Sequence, residues 1–251
     1  MRDMIEKKAE ELRNMMPDNP EFKNWLEQSN LWYWLYFDMN LQSIKVAKRQ
    51  VVEVLAGRIL EDTSMEVYGY IHRFAGIYKD MKAYLQMENS LTLAMLDSWC
   101  EELFPPKEQA TGVRRSSNSP IYEWGHIPPH FKEIEPLMGE LLRSRSRGRF
   151  PGDRIDRMLE IYVGILSIYP YGEHTRSVAG LALVYSLLEE GFPLPGLPVG
   201  DQEYNRLVAE YLENSDIEPL KNMLQRSVYN RLEAVVQLAA EAAENKDNER
   251  H

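Results

Sequence analysis

Apolar residues recur at the three- and four-residue intervals of an amphipathic helix along nearly the whole chain. Val67, Ile71, Phe74, Ile77, Met81 and Leu85 share one face and predict a helix over 64–87. Ile44, Val51, Val52, Leu55 and Leu60 predict helix over 41–60. Residues 20–37 are denser, with Trp25, Leu26, Leu31, Trp32, Trp34, Leu35 and Phe37. That is too apolar for a solvent-facing helix, so the segment is expected to pack into a core or against a partner. Asn89-Ser90 offers a helix cap ahead of Leu91–Leu96, and Pro105-Pro106 ends that helix. Thr111–Pro120 is rich in turn formers, and Ile121-Tyr122-Glu123-Trp124 has the composition of a short strand, which together predict a small hairpin. The helical period returns at Phe131, Ile134, Leu137, Met138 and Leu141, and again over 153–168 with Ile155, Met158, Leu159, Tyr162, Ile165 and Leu166 inward. A further helix over 178–190 carries Leu181, Leu183, Val184 and Leu187, with Gly191 placed as its stop. Phe192–Pro198 reads as a rigid connection. Helices near 201–213 and 216–244 complete the chain, and the charged tail 245–251 is expected to be disordered.

Composition adds bounds. A chain of 251 residues buries a full core, and 44% apolar with 27% charged residues is the balance of a soluble globular protein. The net charge of -10 argues against nucleic acid as a partner, because gripping phosphates needs clustered cations. The one dense basic run, Arg143–Arg149, reads as a solvated loop between helices. The single cysteine, Cys100, excludes an internal disulfide and falls in an apolar helical pattern, as a buried thiol would. The N-terminus is charged and no stretch is apolar enough to span a bilayer, so a cytoplasmic protein without membrane partners is expected.

The chemistry concentrates in Tyr169-Pro170-Tyr171-Gly172-Glu173-His174-Thr175-Arg176-Ser177-Val178-Ala179-Gly180, between two helical segments. In frame and spacing this stretch resembles the signature of the Fic (Fido-fold) family, His-Pro-Phe-x-Asp/Glu-Gly-Asn-Gly-Arg-x-x-Arg. The similarity runs from about residue 36 to residue 228. Leu91–Phe104 resembles the helix before the family's target-binding flap, and Gly112-Val113-Arg114 with Ile121 resembles the flap itself. Pro128-Pro129 with Ile134, Leu137 and Met138 resembles a Pro-Pro segment and the helix after it. Leu187–Pro193 resembles Leu-x-x-x-Gly-Tyr/Phe-Pro, and Asp201–Leu220 resembles the final helices. The resemblance implies an all-α, Fic/Fido-like helical fold with a small β-hairpin flap. It divides the chain into an N-terminal helical extension (1–88, with a region like an inhibitory helix near 38–57), a Fic-like domain (89–228), and a C-terminal helix and charged tail (229–251).

Family members usually transfer AMP from ATP to a hydroxyl of another protein. Counting back from Gly191 without a gap puts the family's catalytic histidine at Tyr169, its metal-binding carboxylate at Glu173, and its two arginines at Ser177 and Gly180. The first glycine becomes His174, the asparagine Thr175 and the second glycine Arg176. A phenol of pKa about 10 is a poor general base near neutrality. His174 and Arg176 bring side chains where backbone N–H groups should approach phosphates. Ser177 and Gly180 carry no charge to hold them. Many members also carry an inhibitory motif, Ser/Thr-x-x-x-Glu-Gly/Asn, whose glutamate pairs with the second arginine. Here that glutamate falls at Gln42 and its serine at Asp38, so both halves of the ion pair are missing.

These exchanges imply a degenerate Fic homologue, inactive in AMP transfer and without a cofactor. It would act by protein binding through flap residues such as Arg114, Ile121 and Trp124, through a re-lined cleft at Tyr169, Glu173, His174, Thr175, Arg176 and Ser177, or as a homodimer. The alternative is an active AMP transferase using ATP and Mg²⁺, with His174 as base, Arg176 on phosphate and Glu173 on the metal. Blander roles stand beside these. Tyr169 and Tyr171 are packed aromatics at a helix end, Glu173 is a helix-terminal carboxylate, and His126 and His130 are loop histidines rather than a metal pair.

Overall fold

A computed structural model describes residues 1–15, 20–105, 113–118, 124–146, 154–197 and 200–248. Ten α-helices are described: α1 (Arg2–Met15), α2 (Pro20–Leu41), α3 (Lys48–Leu55), α4 (Met65–Gln86), α5 (Leu93–Leu103), α6 (Ile134–Ser146), α7 (Arg154–Ile168), α8 (Thr175–Glu189), α9 (Asp201–Asn214) and α10 (Glu218–Asn248). Single 3₁₀ turns precede α6 (Phe131–Glu133) and α8 (Gly172–His174). No strand element occurs among the described residues. Arg114 and Trp124 are described; the strand expected over 121–124 falls mostly on Ile121–Glu123, which lie outside the described residues, as do residues 147–149 of the basic run.

The apolar period built these helices largely where it predicted them, and local chemistry set their ends. Ser64 caps α4 by accepting a hydrogen bond from the Val67 amide. The cap of α5 is Thr92, whose hydroxyl accepts from the Met95 amide, and not Asn89-Ser90. The helix expected over 41–60 is broken. Ser43 adopts a left-handed backbone (φ 60), so α2 stops at Leu41 and α3 starts only at Lys48. At the other end of the chain, α10 holds helix to Asn248, through part of the tail expected to be disordered.

Helix α8 is the axis of the molecule. Ser177 through Leu187 are all buried, as a helix apolar on every face must be. It packs on α7, α5 and α4, while α1 lies along α10. Gly191, with φ +74, ends it as the sequence predicts. Trp34, Leu35 and Met39 of α2 enter the core, whereas Trp25 stays partly exposed. Cys100 is fully buried. Among the described residues no helix is long and apolar enough to cross a membrane. The turn between α7 and α8 spans residues 169–174, and the motif-like stretch runs on from it into the first turns of α8.

Candidate functional site

Tyr169 leaves α7 with φ 54, a left-handed conformation that non-glycine residues seldom adopt. One side chain holds this bend. Arg115 donates from Nε to the Tyr169 carbonyl (2.9 Å), from Nη2 to the Ile168 carbonyl (3.3 Å) and to the Pro129 carbonyl, and from Nη1 to the Ser117 carbonyl (3.1 Å). Its own amide donates to the Pro170 carbonyl at 2.9 Å. A guanidinium suits this work because its donors form a rigid planar fork. The Tyr169 ring lies edge-on to Trp124, with centroids 6.4 Å apart.

The next residues turn inward. Tyr171 is buried and donates its hydroxyl to Asp97 (3.0 Å), while its amide donates to the Thr175 hydroxyl (3.1 Å). Burial, and then the neighbouring Asp97, push the Tyr171 phenol well above its usual range. Arg114 reaches Asp97 at 3.3 Å and Glu135 at 3.7 Å. The Glu173 side chain is 89% exposed and lies 3.8 Å from His174. His174 stacks flat on Phe104, centroids 3.9 Å apart at 8°, and burial lowers its pKa. His126 Nε2 meets the Ser167 carbonyl at 2.9 Å, and His130 caps the 3₁₀ turn before α6. No group of three or more His, Cys, Asp or Glu side chains able to hold a metal occurs among the described residues.

Arg176 turns away from the loop. It donates to the Leu41 carbonyl at the C-terminus of α2 (2.6 Å) and to Asn205 Oδ1 of α9 (2.6 Å). The last carbonyls of a helix lack partners and carry partial negative charge, so a cation is favoured there. Its guanidinium also lies 5.4 Å from the Trp124 ring and 4.9 Å from the Tyr204 ring, within cation–π range. Trp124 Nε1 donates to the same Asn205 oxygen at 3.2 Å.

Beneath this lies a closed network between α2, α4 and α8. Ser177 donates its hydroxyl to Gln42 Oε1 (2.7 Å). Gln42 Nε2 donates to Asp38 Oδ2 (2.7 Å) and to the Tyr70 hydroxyl (2.9 Å), and Tyr70 donates to Asp38 Oδ2 (3.0 Å). Asp38 is 8% exposed, and burial lifts its pKa from the usual 3.8 to about 7, against the opposing pull of Tyr70, Arg176 and Gln42. A Cβ on Gly180 would stand 3.3 Å from Asp38 Oδ1 and 3.7 Å from the Trp34 ring. The absence of a side chain there lets α2 lie against α8.

Asp38 and Gln42, which the resemblance sets at an inhibitory motif, therefore meet Gly180 and Ser177, which it sets at arginine positions. Gln42 meets Ser177, and Asp38 faces Gly180. Sequence reasoning set Gln42 opposite Gly180, whereas the hydrogen bond goes to Ser177 instead. It missed Arg115, adjacent to the Arg114 it singled out, and it missed Tyr70, Asn205 and the Phe104 stack. Apart from the two neighbouring arginines, no sequence signal separates these from ordinary helix-face residues.

No protein-family model matches the sequence, and no curated protein matches it. Solved structures do match in shape. A Fic domain-containing signalling protein from Bacteroides thetaiotaomicron superposes with a TM-score of 0.78 at 16% identity, over 95% of this chain and 98% of that one. A Fic family protein from Desulfovibrio desulfuricans gives 0.67 at 17% identity, over 98% of this chain and 76% of the other. Fic-1 from C. elegans gives 0.69 at 14% identity, over 96% and 71%. At such identities the likeness speaks for architecture, and the architecture is clear: this chain has the all-helical Fic (Fido) fold.

Proposed function

We propose that this chain is a Fic-fold protein that has given up AMP transfer and acts by binding a protein partner. One observation carries the reading. Where the resemblance would have two arginines grip a triphosphate, the Ser177–Gln42–Asp38–Tyr70 network fills the seam between α2 and α8. A polyphosphate would meet a buried carboxyl in place of cations, and it would have to break hydrogen bonds that satisfy buried polar groups. The residues present do not fit ATP. Arg176 is engaged by a helix C-terminus and Asn205, His174 by the face of Phe104, and Glu173 points to solvent outside any three-ligand cluster among the described residues.

The partner surface lies on the flap side. Arg115 ties the segments around Ser117 and Pro129 to the Tyr169 turn, so this face is presented as one rigid piece. Rigid presentation lowers the ordering cost of association. A second copy of this chain is one form the partner could take, and sedimentation velocity over a concentration series reads that directly. For the lost chemistry, the test is incubation with labelled ATP, Mg²⁺ and cell lysate. No label is expected on any protein. Transfer that disappears in Glu173→Ala would establish the transferase reading instead.

A further inference from the structure

The far end of α8 borders a different concavity. Two hollows of about 320 and 400 Å³ adjoin between α2 and α4, sharing Glu27, Tyr78, Lys82 and Gln86. Their walls are apolar, formed by Leu12, Leu26, Leu31, Leu85, Leu188 and Phe192. Each has the size of a small-molecule site. None of these residues belongs to the Tyr169–Gly180 loop, so the inference stands or falls apart from the function proposed above.

The charged groups of the lining are two lysines and one glutamate. Lys82 and Lys79 of α4 both line the groove. Glu27 is the acid among the lining residues, and it is spent on Lys82 at 2.7 Å, leaving Lys79 in excess. Behind the groove lies a buried cation. Arg231 of α10 is 7% exposed, donates to Ser29 Oγ and to Asn30 Oδ1 (3.3 Å), and stacks over Tyr33 at 4.6 Å. Its Nε has no hydrogen-bond partner, and no carboxylate pairs with it among the described residues. A buried charge left uncompensated is costly and favours an anion nearby.

The path from that cation to the groove is a hydrogen-bond relay. Asn30 Oδ1 is occupied by Arg231 and by the Leu194 amide (3.2 Å). Asn30 also hydrogen-bonds the Tyr78 phenol, which burial and then the Glu27 carboxylate push up to about 12, so it keeps its proton at neutral pH. The Tyr78 hydroxyl proton is then the group offered to the groove. We propose that this groove binds an amphipathic carboxylate of the fatty-acid class, with its tail along the leucines and its head on the Tyr78 hydroxyl and the Lys79 and Lys82 ammonium groups. The choice of an anion rests on local charge complementarity, since Lys79 and Lys82 outnumber Glu27 among the residues lining the hollow.

The test is calorimetric titration of the full chain with dodecanoate below its micelle threshold, beside dodecyltrimethylammonium, which has the same tail and the opposite charge. Saturable one-to-one binding of dodecanoate is expected, weakened about tenfold or more for the cationic amphiphile and for Lys79→Glu, a change at an exposed position that leaves the core intact. Leu188→Trp, which fills the hollow, is expected to remove binding. Absence of saturable binding, equal binding of both amphiphiles, or dodecanoate affinity unchanged in Lys79→Glu would overturn the proposal.

Discussion

Asp38 keeps a carboxyl where the surroundings favour a neutral acid, and this makes it a reporter of the α2–α8 seam. Its folded pKa of about 7 lies above the usual 3.8, so the folded state binds more protons than the unfolded state between those values. Stability from this group is therefore present at low pH and is lost as pH rises from about 4 to about 7. Thermal melts at pH 5 and pH 8 should show Asp38→Asn gaining on the wild type as pH rises. A difference in Tm between the two proteins that stays constant with pH would show that the carboxyl is not held as described. Arg115 works differently, through shape. Its fork serves the carbonyls of Ser117, Pro129, Ile168 and Tyr169. Removing it leaves partly buried acceptors unpaired, and Arg115→Ala should cost about 2–4 kcal/mol in chemical denaturation. Arg115→Lys should recover only part of this, because an ammonium cannot reproduce the planar fork. Recovery to wild-type stability by lysine would refute the geometric role.

Elements that read clearly in the sequence were those governed by local period. The face of α4 and the end of α8 at Gly191 needed no tertiary knowledge. The break after α2 was illegible because it depends on Ser43 taking a left-handed backbone, which apolar spacing does not encode. Contacts between elements were likewise hidden. The connection after α8 runs through Phe192, Leu194 and Leu197, all buried, and passes so close to α2 that a Cβ on Gly196 would stand 2.1 Å from the Phe37 ring. No relaxation of a few tenths of an ångström resolves such an overlap. Gly196→Ala should therefore lower stability by about 1–3 kcal/mol, read as a fall in Tm, although alanine is ordinarily the less costly residue to order. An unchanged Tm would mean that the strap does not press on α2.

Across the whole molecule, the fold was legible because the resemblance carried spacing as well as composition, and solved Fic proteins share the architecture at TM-scores of 0.67 to 0.78. The candidate site was legible as a neighbourhood but not in its pairings. The resemblance set Gln42 opposite Gly180, whereas in the structure Gln42 bonds Ser177 and Asp38 is the residue that faces Gly180. What fills the seam was not legible, because Tyr70 comes from α4 and Asn205 from α9, distant in sequence from the loop they complete. The account implies that no single exchange restores the family's chemistry. Tyr169→His should show no AMP transfer with labelled ATP, since the positions that would hold phosphate stay occupied by side chains. Signal above the wild type in that variant would mean that the cleft still accepts nucleotide. The most direct measurement is calorimetric titration of the wild-type chain with ATP and Mg²⁺ at neutral pH. The account predicts no saturable heat up to millimolar nucleotide; a binding isotherm in the micromolar range would contradict it.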